Sequence, residues 1–303
     1  MAPENVDVVD QAGDRDIGGS VLPTPAAPRS FESSGTLDLD SLTRLMGKRT
    51  VNLVGILGEP ESGKTAALVS LYLLVANARL KGWNFANSLT LTGFEDIARG
   101  SREWNVGHPP EQMTGHTHLS DDRRPGFLHL RLRSSVDKCC IDLALPDLPG
   151  EWTQALIRRD NWQRLNFLRS ANVIWIFADG RVLANTEHRQ AYILRLGQLA
   201  GRLHFHLGDA APPVKLVLTH RDAGEVSQAV MTELMKKFKD RQLDAEVVEI
   251  ASFARKGIKI KAGHGLDDLI NKSMHVFTKP AQFWPKEEPQ QCARSYLSYR
   301  RDR

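Results

Sequence analysis

The chain has 303 residues, 40 basic and 36 acidic, for a net charge of +4, and 41% of it is apolar. That length accommodates one or two domains with a real core. The near balance of charge, with no dense Lys/Arg block, argues against nucleic acid as a partner. Cys139 and Cys140 are neighbours on a strand-like stretch and point to opposite faces, so with Cys292 no disulfide framework is expected. No apolar run approaches the roughly 18 residues needed to span a bilayer, and the acidic N-terminus is not a signal peptide. A cytoplasmic protein without a membrane span is expected.

Residues 1–45 read as a disordered N-terminal tail. Ala, Pro, Gly, Ser and Asp dominate up to about Asp38, with Pro23, Pro25 and Pro28 close together, leaving too little apolar surface to offset the entropy of ordering. Val51–Leu57 is then a short apolar strand. It runs into Gly58-Glu59-Pro60-Glu61-Ser62-Gly63-Lys64-Thr65, the pattern G-x-x-x-x-G-K-[ST], and Lys64–Leu80 follows as a buried helix. Strand, glycine loop and helix together are the setting in which this pattern binds phosphate. Glycines let the backbone N–H groups turn toward an anion, and the helix N-terminus adds partial positive charge. Gly58, Glu61, Ser62, Gly63, Lys64, Thr65 and Ala66 are therefore candidate nucleotide ligands. Lys64 would reach the β- and γ-phosphates, and the Thr65 hydroxyl would hold Mg²⁺.

Residues 81–126 are too many for an ordinary connection. Within them Ser88–Gly93 alternates like a strand, Phe94–Arg99 could add a helical turn, and the rest, through Pro109 and Pro110, reads as a long functional loop. Phe127–Arg133 and Cys139–Leu145 are strands. The second ends in Pro146-Asp147-Leu148-Pro149-Gly150-Glu151. An acid at the end of such a strand holds Mg²⁺ in phosphate-loop proteins, and a glycine three residues on can offer its N–H to the γ-phosphate. Asp147 and Gly150 fit, while Asp142, in mid-strand, is the less suitable rival.

Trp152–Leu168 reads as a helix, Val173–Ala178 as a strand, Glu187–Leu203 as a helix and Val214–Thr219 as a strand ending in Thr219-His220-Arg221-Asp222. Gly224–Arg241 is a helix, Glu246–Ala251 a strand and Leu266–Phe277 a helix, before a polar tail over 283–303. The alternation predicts an α/β fold: a doubly wound, mostly parallel sheet with helices on both faces, over 46–282, with the ligand at the C-terminal ends of the strands. His116 with His118, and His204 with His206, lack partners at zinc-like spacing.

Gly58–Thr65, Asp147-x-x-Gly150, Thr219-x-x-Asp222 and Ala251-Ser252 occur in the order of a Ras-like P-loop GTPase of the translation-factor-related (TRAFAC) class, which the chain resembles from about Thr50 to Pro280. More narrowly, Ser88–Glu95, Phe127–Leu130 and Asp147–Trp152 make it similar to the bacterial double-GTPase type-2 family. GTPases carry [NT]-K-x-D where this chain has Thr219–Asp222. The resemblance gives Asp222 two hydrogen bonds to guanine, which adenine cannot supply, and puts His220 where a lysine normally packs over the base. It gives Ser252 a place in the loop that offers backbone N–H groups to the guanine oxygen. GTP and Mg²⁺ are the implied cofactors, and an unidentified protein effector or activating protein is the implied partner.

Two catalytic positions depart from the pattern or are hard to place. Ras-like proteins have a glutamine after the glycine of D-x-x-G to orient the attacking water, and here Glu151 stands there; with Lys64 it forms the implied catalytic pair. The switch threonine that binds Mg²⁺ is assigned to Thr114, with Thr117 as the alternative. The expected activity is a GTP-binding molecular switch with slow, Mg²⁺-dependent hydrolysis. His220 keeps an ATP-using phosphate-loop ATPase or kinase in play, and Glu151 keeps a nucleotide-binding scaffold that hydrolyses nothing.

Overall fold

The computed structural model describes residues 35–102, 125–254 and 259–274. Within these residues seven strands form one sheet: β1 Val51–Leu57, β2 Trp83–Asn87, β3 Phe127–Ser134, β4 Cys140–Pro146, β5 Val173–Asp179, β6 Val214–Thr219 and β7 Ala245–Glu249. Their spatial order is β2-β3-β4-β1-β5-β6-β7. The strands β4, β1, β5, β6 and β7 run parallel, whereas β3 is antiparallel to β4 and β2 to β3. The reversal has a local cause: β3 and β4 are joined by a short turn, and a turn reverses direction where a helical crossover would preserve it.

Among the described residues, eight α-helices accompany the sheet: α1 Leu39–Met46, α2 Lys64–Ala76, α3 Leu91–Arg102, α4 Gly150–Arg159, α5 Gly180–Ala184, α6 Arg189–Leu207, α7 Gln228–Lys239 and α8 Leu266–Met274. Every residue of β1, β5 and β6 is buried, because helices cover both sheet faces. The period of two along β5 divides the core. Val173, Trp175 and Phe177 meet Leu68 and Leu71 of α2, Phe94 of α3 and Leu269 of α8. Ile174, Ile176 and Ala178 meet Leu156 of α4, Leu196 of α6 and Leu234 of α7. On the first of these faces, Trp175 donates its indole N–H to Ser273 of α8 at 2.8 Å, both buried.

Several boundaries differ from the sequence reading. The end of the supposed N-terminal tail is ordered: Asp38 caps α1 by accepting the Ser41 N–H at 2.8 Å. Leu37, Leu42 and Leu45 pack on Leu53 and Phe127. Ser88–Gly93 is not a strand. Thr90 accepts the Phe94 N–H at 3.2 Å, so these residues lead into α3, and the strand lies earlier, at Trp83–Asn87. Its side chains are largely exposed at the sheet edge, so no apolar alternation marked it. The helix expected over 152–168 begins at Gly150 and breaks at Asp160, which adopts a left-handed backbone with φ 55°. A 3₁₀ helix, Gln163–Ser170, follows. Helix α7 starts at Gln228, capped by Ser227. Thr114, Thr117, His116, His118 and residues 283–303 lie outside the described residues.

Candidate nucleotide-binding site

The loop after β1 curls around a cluster of backbone donors. Gly63, with φ 91°, begins α2 with no side-chain cap, and Glu61 is also left-handed, with φ 62°. The first N–H groups of a helix have no acceptor within it, so those of Lys64, Thr65 and Ala66 remain available to an anion. Lys64 donates to the carbonyls of Gly58 at 2.8 Å and Glu59 at 3.0 Å. Burial pulls its ammonium down to about 8, against the opposing pull of Asp147, Glu151 and Glu59. The Ser62 hydroxyl is buried without a hydrogen-bond partner among the described residues, an arrangement folded proteins rarely tolerate. A desolvated cation, an orphaned hydroxyl and a helix N-terminus in one loop fit a polyphosphate.

Thr65 lies beside the strand-end acid. Its hydroxyl donates to Asp147 Oδ1 at 2.9 Å, and Asp147 is buried. Among the described residues no group of three or more His, Cys, Asp or Glu could hold a metal ion. The pair suits Mg²⁺ instead, which takes one or two protein oxygens and completes its shell with phosphate and water. Asp142 is engaged elsewhere. His129 Nε2 lies 2.9 Å from it, Arg49 at 3.4 Å and Arg131 at 3.7 Å, so it ties the middle of the sheet together.

Gly150 fits where no side chain could. A Cβ there would lie 2.2 Å from Pro60 N and 2.6 Å from the Glu59 carbonyl carbon, so the start of α4 rests directly on the phosphate loop. One turn on, Thr153 Oγ1 accepts the Gly58 N–H at 3.1 Å. Glu151, between them, is exposed in the first turn of α4 and close enough to act on the charge of Lys64.

On the opposite side of the loop, Thr219 ends β6. Its hydroxyl donates to the Ser62 carbonyl at 2.9 Å and lies 2.9 Å from His220 Nδ1. His220 is left-handed, with φ 57°, and Asp222 is half-buried in the 3₁₀ turn that follows. Arg221 secures that turn by donating its N–H to Ile250 at 3.1 Å and its Nε to Glu249 at 2.7 Å. In the next loop Ala251 already gives its N–H to His264 at 3.1 Å, while the Ser252 carbonyl accepts from Ser70 at 2.6 Å.

Thus Gly58–Ala66, Asp147–Glu151, Thr219–Asp222 and Ser252 meet at the C-terminal edge of the parallel strands, where open α/β sheets bind ligands. Sequence reasoning missed two contributors. Arg195 of α6 pairs with Glu59 at 2.6 Å, holding the loop from outside. Asp179, at the end of β5, contacts His220 and Arg181. Its signal was a strand-end acid, as at Asp147, but with Gly180 directly after it rather than three residues on, so no motif marked it.

A mixed sheet in this order, with a phosphate loop after its first strand and the other motifs at the same edge, defines a P-loop GTPase domain. The model of the Double-GTPase 2 family matches residues 52–274, most of the chain, and the protein belongs to that family. Guanine-nucleotide binding comes with the membership. No curated protein matches the sequence. No helix among the described residues is long and apolar enough to cross a membrane.

Proposed function

We propose that this protein is a cytoplasmic GTP-dependent switch that hydrolyses GTP slowly with Mg²⁺ and reports the nucleotide's state to a protein partner. The observation that carries the reading is the seating of Gly150 on Pro60, beside the Thr65–Asp147 pair. A γ-phosphate in the loop would lie within reach of the Gly150 N–H, so its presence or loss is felt at once by α4. Order gained with triphosphate and released on hydrolysis is the usual output of such elements.

In this reading Gly58, Glu61, Ser62, Gly63 and Ala66 cradle the phosphates, and Lys64 neutralises charge on the β- and γ-oxygens. Thr65 and Asp147, with Thr114, hold Mg²⁺, which when bound offsets negative charge at the transferring phosphoryl group. Thr219, His220, Asp222 and Ser252 receive the base. Glu151 orients or deprotonates the attacking water. Its charge opposes binding of a triphosphate, and it lacks the amide donor of a glutamine, so slow hydrolysis is expected. Single-turnover hydrolysis at saturating protein and Mg²⁺ tests the reading. Phosphate release that is slow but well above the uncatalysed rate supports it, and its complete absence would leave a nucleotide-binding scaffold.

A further inference from the structure

Asp179 is the last residue of β5 and pairs in register with Thr219, the last of β6. The two strand ends approach closely because the next residue is Gly180, where a Cβ would lie 2.4 Å from the Thr219 carbonyl oxygen. The Asp179 carboxylate is buried and fully engaged. Oδ1 accepts the Arg181 N–H at 2.8 Å, Oδ2 accepts from Arg181 Nη2 at 2.8 Å, and His220 Nδ1 lies 3.2 Å from Oδ1. Its own N–H donates to the Tyr192 hydroxyl at 2.9 Å. Burial alone would raise this carboxyl, but hydrogen bonds from His220 and Arg181 outweigh it and hold the group below the usual carboxylate range.

The hydrogen bonds settle which ring nitrogen of His220 carries the proton. An ionised carboxylate can only accept. The Thr219 hydroxyl has one hydrogen and faces two carbonyls that can only accept, Ser62 at 2.9 Å and Ala178 at 3.2 Å, so toward His220, 2.9 Å away, it is left to accept. Both neighbours of Nδ1 are therefore acceptors, and Nδ1 must be the donor. Nε2, on the other side of the ring, has no protein partner among the described residues. The left-handed backbone of His220, a conformation that non-glycine residues keep only where surroundings enforce it, adds to the constraint.

We infer that Asp179 is a positioning residue for base recognition: it fixes His220 in the Nδ1–H form and leaves Nε2 and the ring face for the nucleotide beside Asp222. The chain of contacts Asp179–His220–Thr219–Ser62 then links the base side to the phosphate loop. The inference rests on the guanine-site reading of Thr219–Asp222, and the test separates the two.

The test uses the full chain. Long-range ¹H–¹⁵N correlation spectra of the imidazoles should show His220 protonated at Nδ1 in the parent. Asp179→Ser keeps a cap for the Arg181 N–H but withdraws the carboxylate. It should weaken GTP binding about tenfold or more, on the scale of coupling between contacting residues. Asp179→Asn, which restores an acceptor, should recover most of the loss. In a His220→Ala background, Asp179→Ser should cost little more. A neutral His220 ring protonated at Nε2 in the parent would overturn the inference, and so would an equal loss in both backgrounds. A parent that binds ATP as well as GTP would instead sink the guanine-site reading, leaving the imidazole spectrum to judge the hold of Asp179 on His220.

Discussion

The Thr65 hydroxyl and the Asp147 carboxylate, 82 positions apart in sequence, lie 2.9 Å from each other where the start of α2 meets the end of β4. Two oxygens of different character in that position suit a small hard cation that keeps most of its shell for phosphate and water. Thr65→Ala and Asp147→Asn should each weaken GTP binding in Mg²⁺ by about 10–100-fold, the scale seen when groups around a metal are removed. Binding in excess EDTA should stay close to the parent's. Titration of a fluorescent GTP analogue in both buffers checks this, and an unchanged response to Mg²⁺ would remove both residues from the metal site.

In the proposed reading, Gly150 distinguishes the two nucleotide states. Because a Cβ would lie 2.2 Å from Pro60 N, Gly150→Ala must either displace α4 from the loop or strain it, at about 1–3 kcal/mol. The loss should appear in GTP affinity, with GDP affinity near the parent's, since only the triphosphate needs the seat. Parallel titrations with both nucleotides read the difference.

Glu151 is exposed in the first turn of α4 and acts on Lys64 across the loop. Replacement by Ala should slow single-turnover hydrolysis by about 10²–10⁴-fold, the general scale of a lost acid–base group. Triphosphate affinity should hold or improve as repulsion is relieved. An unaltered rate at saturating GTP and Mg²⁺ would take Glu151 out of the chemistry.

The phosphate loop was legible because its letters are backbone requirements, and β1, β5 and β6 were legible because burial on both faces demands unbroken apolar runs. Edge strand β2 carried no such demand. Helix α1 was hidden because only Leu42 and Leu45 of its eight residues are buried, amid polar composition. Position along β4 separates Asp142 from Asp147: the mid-strand acid is tied to His129 of β3, whereas the strand-end acid reaches the Thr65 hydroxyl of the phosphate loop. Asp179 was visible only as a strand-end acid, with nothing in the sequence to give it a role. Its role exists only because the register of β5 and β6 sets it beside Thr219 and His220, and register is not written in either strand alone.

The core network around His129 gives the fold a defined acid limit. Its Nδ1 accepts the Leu89 N–H at 3.1 Å and its Nε2 donates to Asp142 at 2.9 Å, so the neutral ring is the form the fold holds. Burial lowers its pKa from the ordinary 6.5, against the opposing pull of Asp142. Below 6.5 the unfolded chain therefore binds more protons than the native one, and stability falls as the pH drops. Urea unfolding at pH 7.5 and 5.5 should show this loss. His129→Gln, which keeps an acceptor and a donor but cannot titrate, should flatten it.

The most direct test of the account is base selection by Asp222. Competition between GTP and ATP for the purified chain, repeated with Asp222→Asn and xanthosine triphosphate, measures it. The account predicts that the parent prefers GTP by orders of magnitude, because an acceptor covered by adenine instead of guanine is left unpaired, and that Asp222→Asn loses this preference and gains affinity for xanthosine triphosphate. Equal binding of GTP and ATP by the parent, or an Asp222→Asn variant that selects GTP as the parent does, would contradict it.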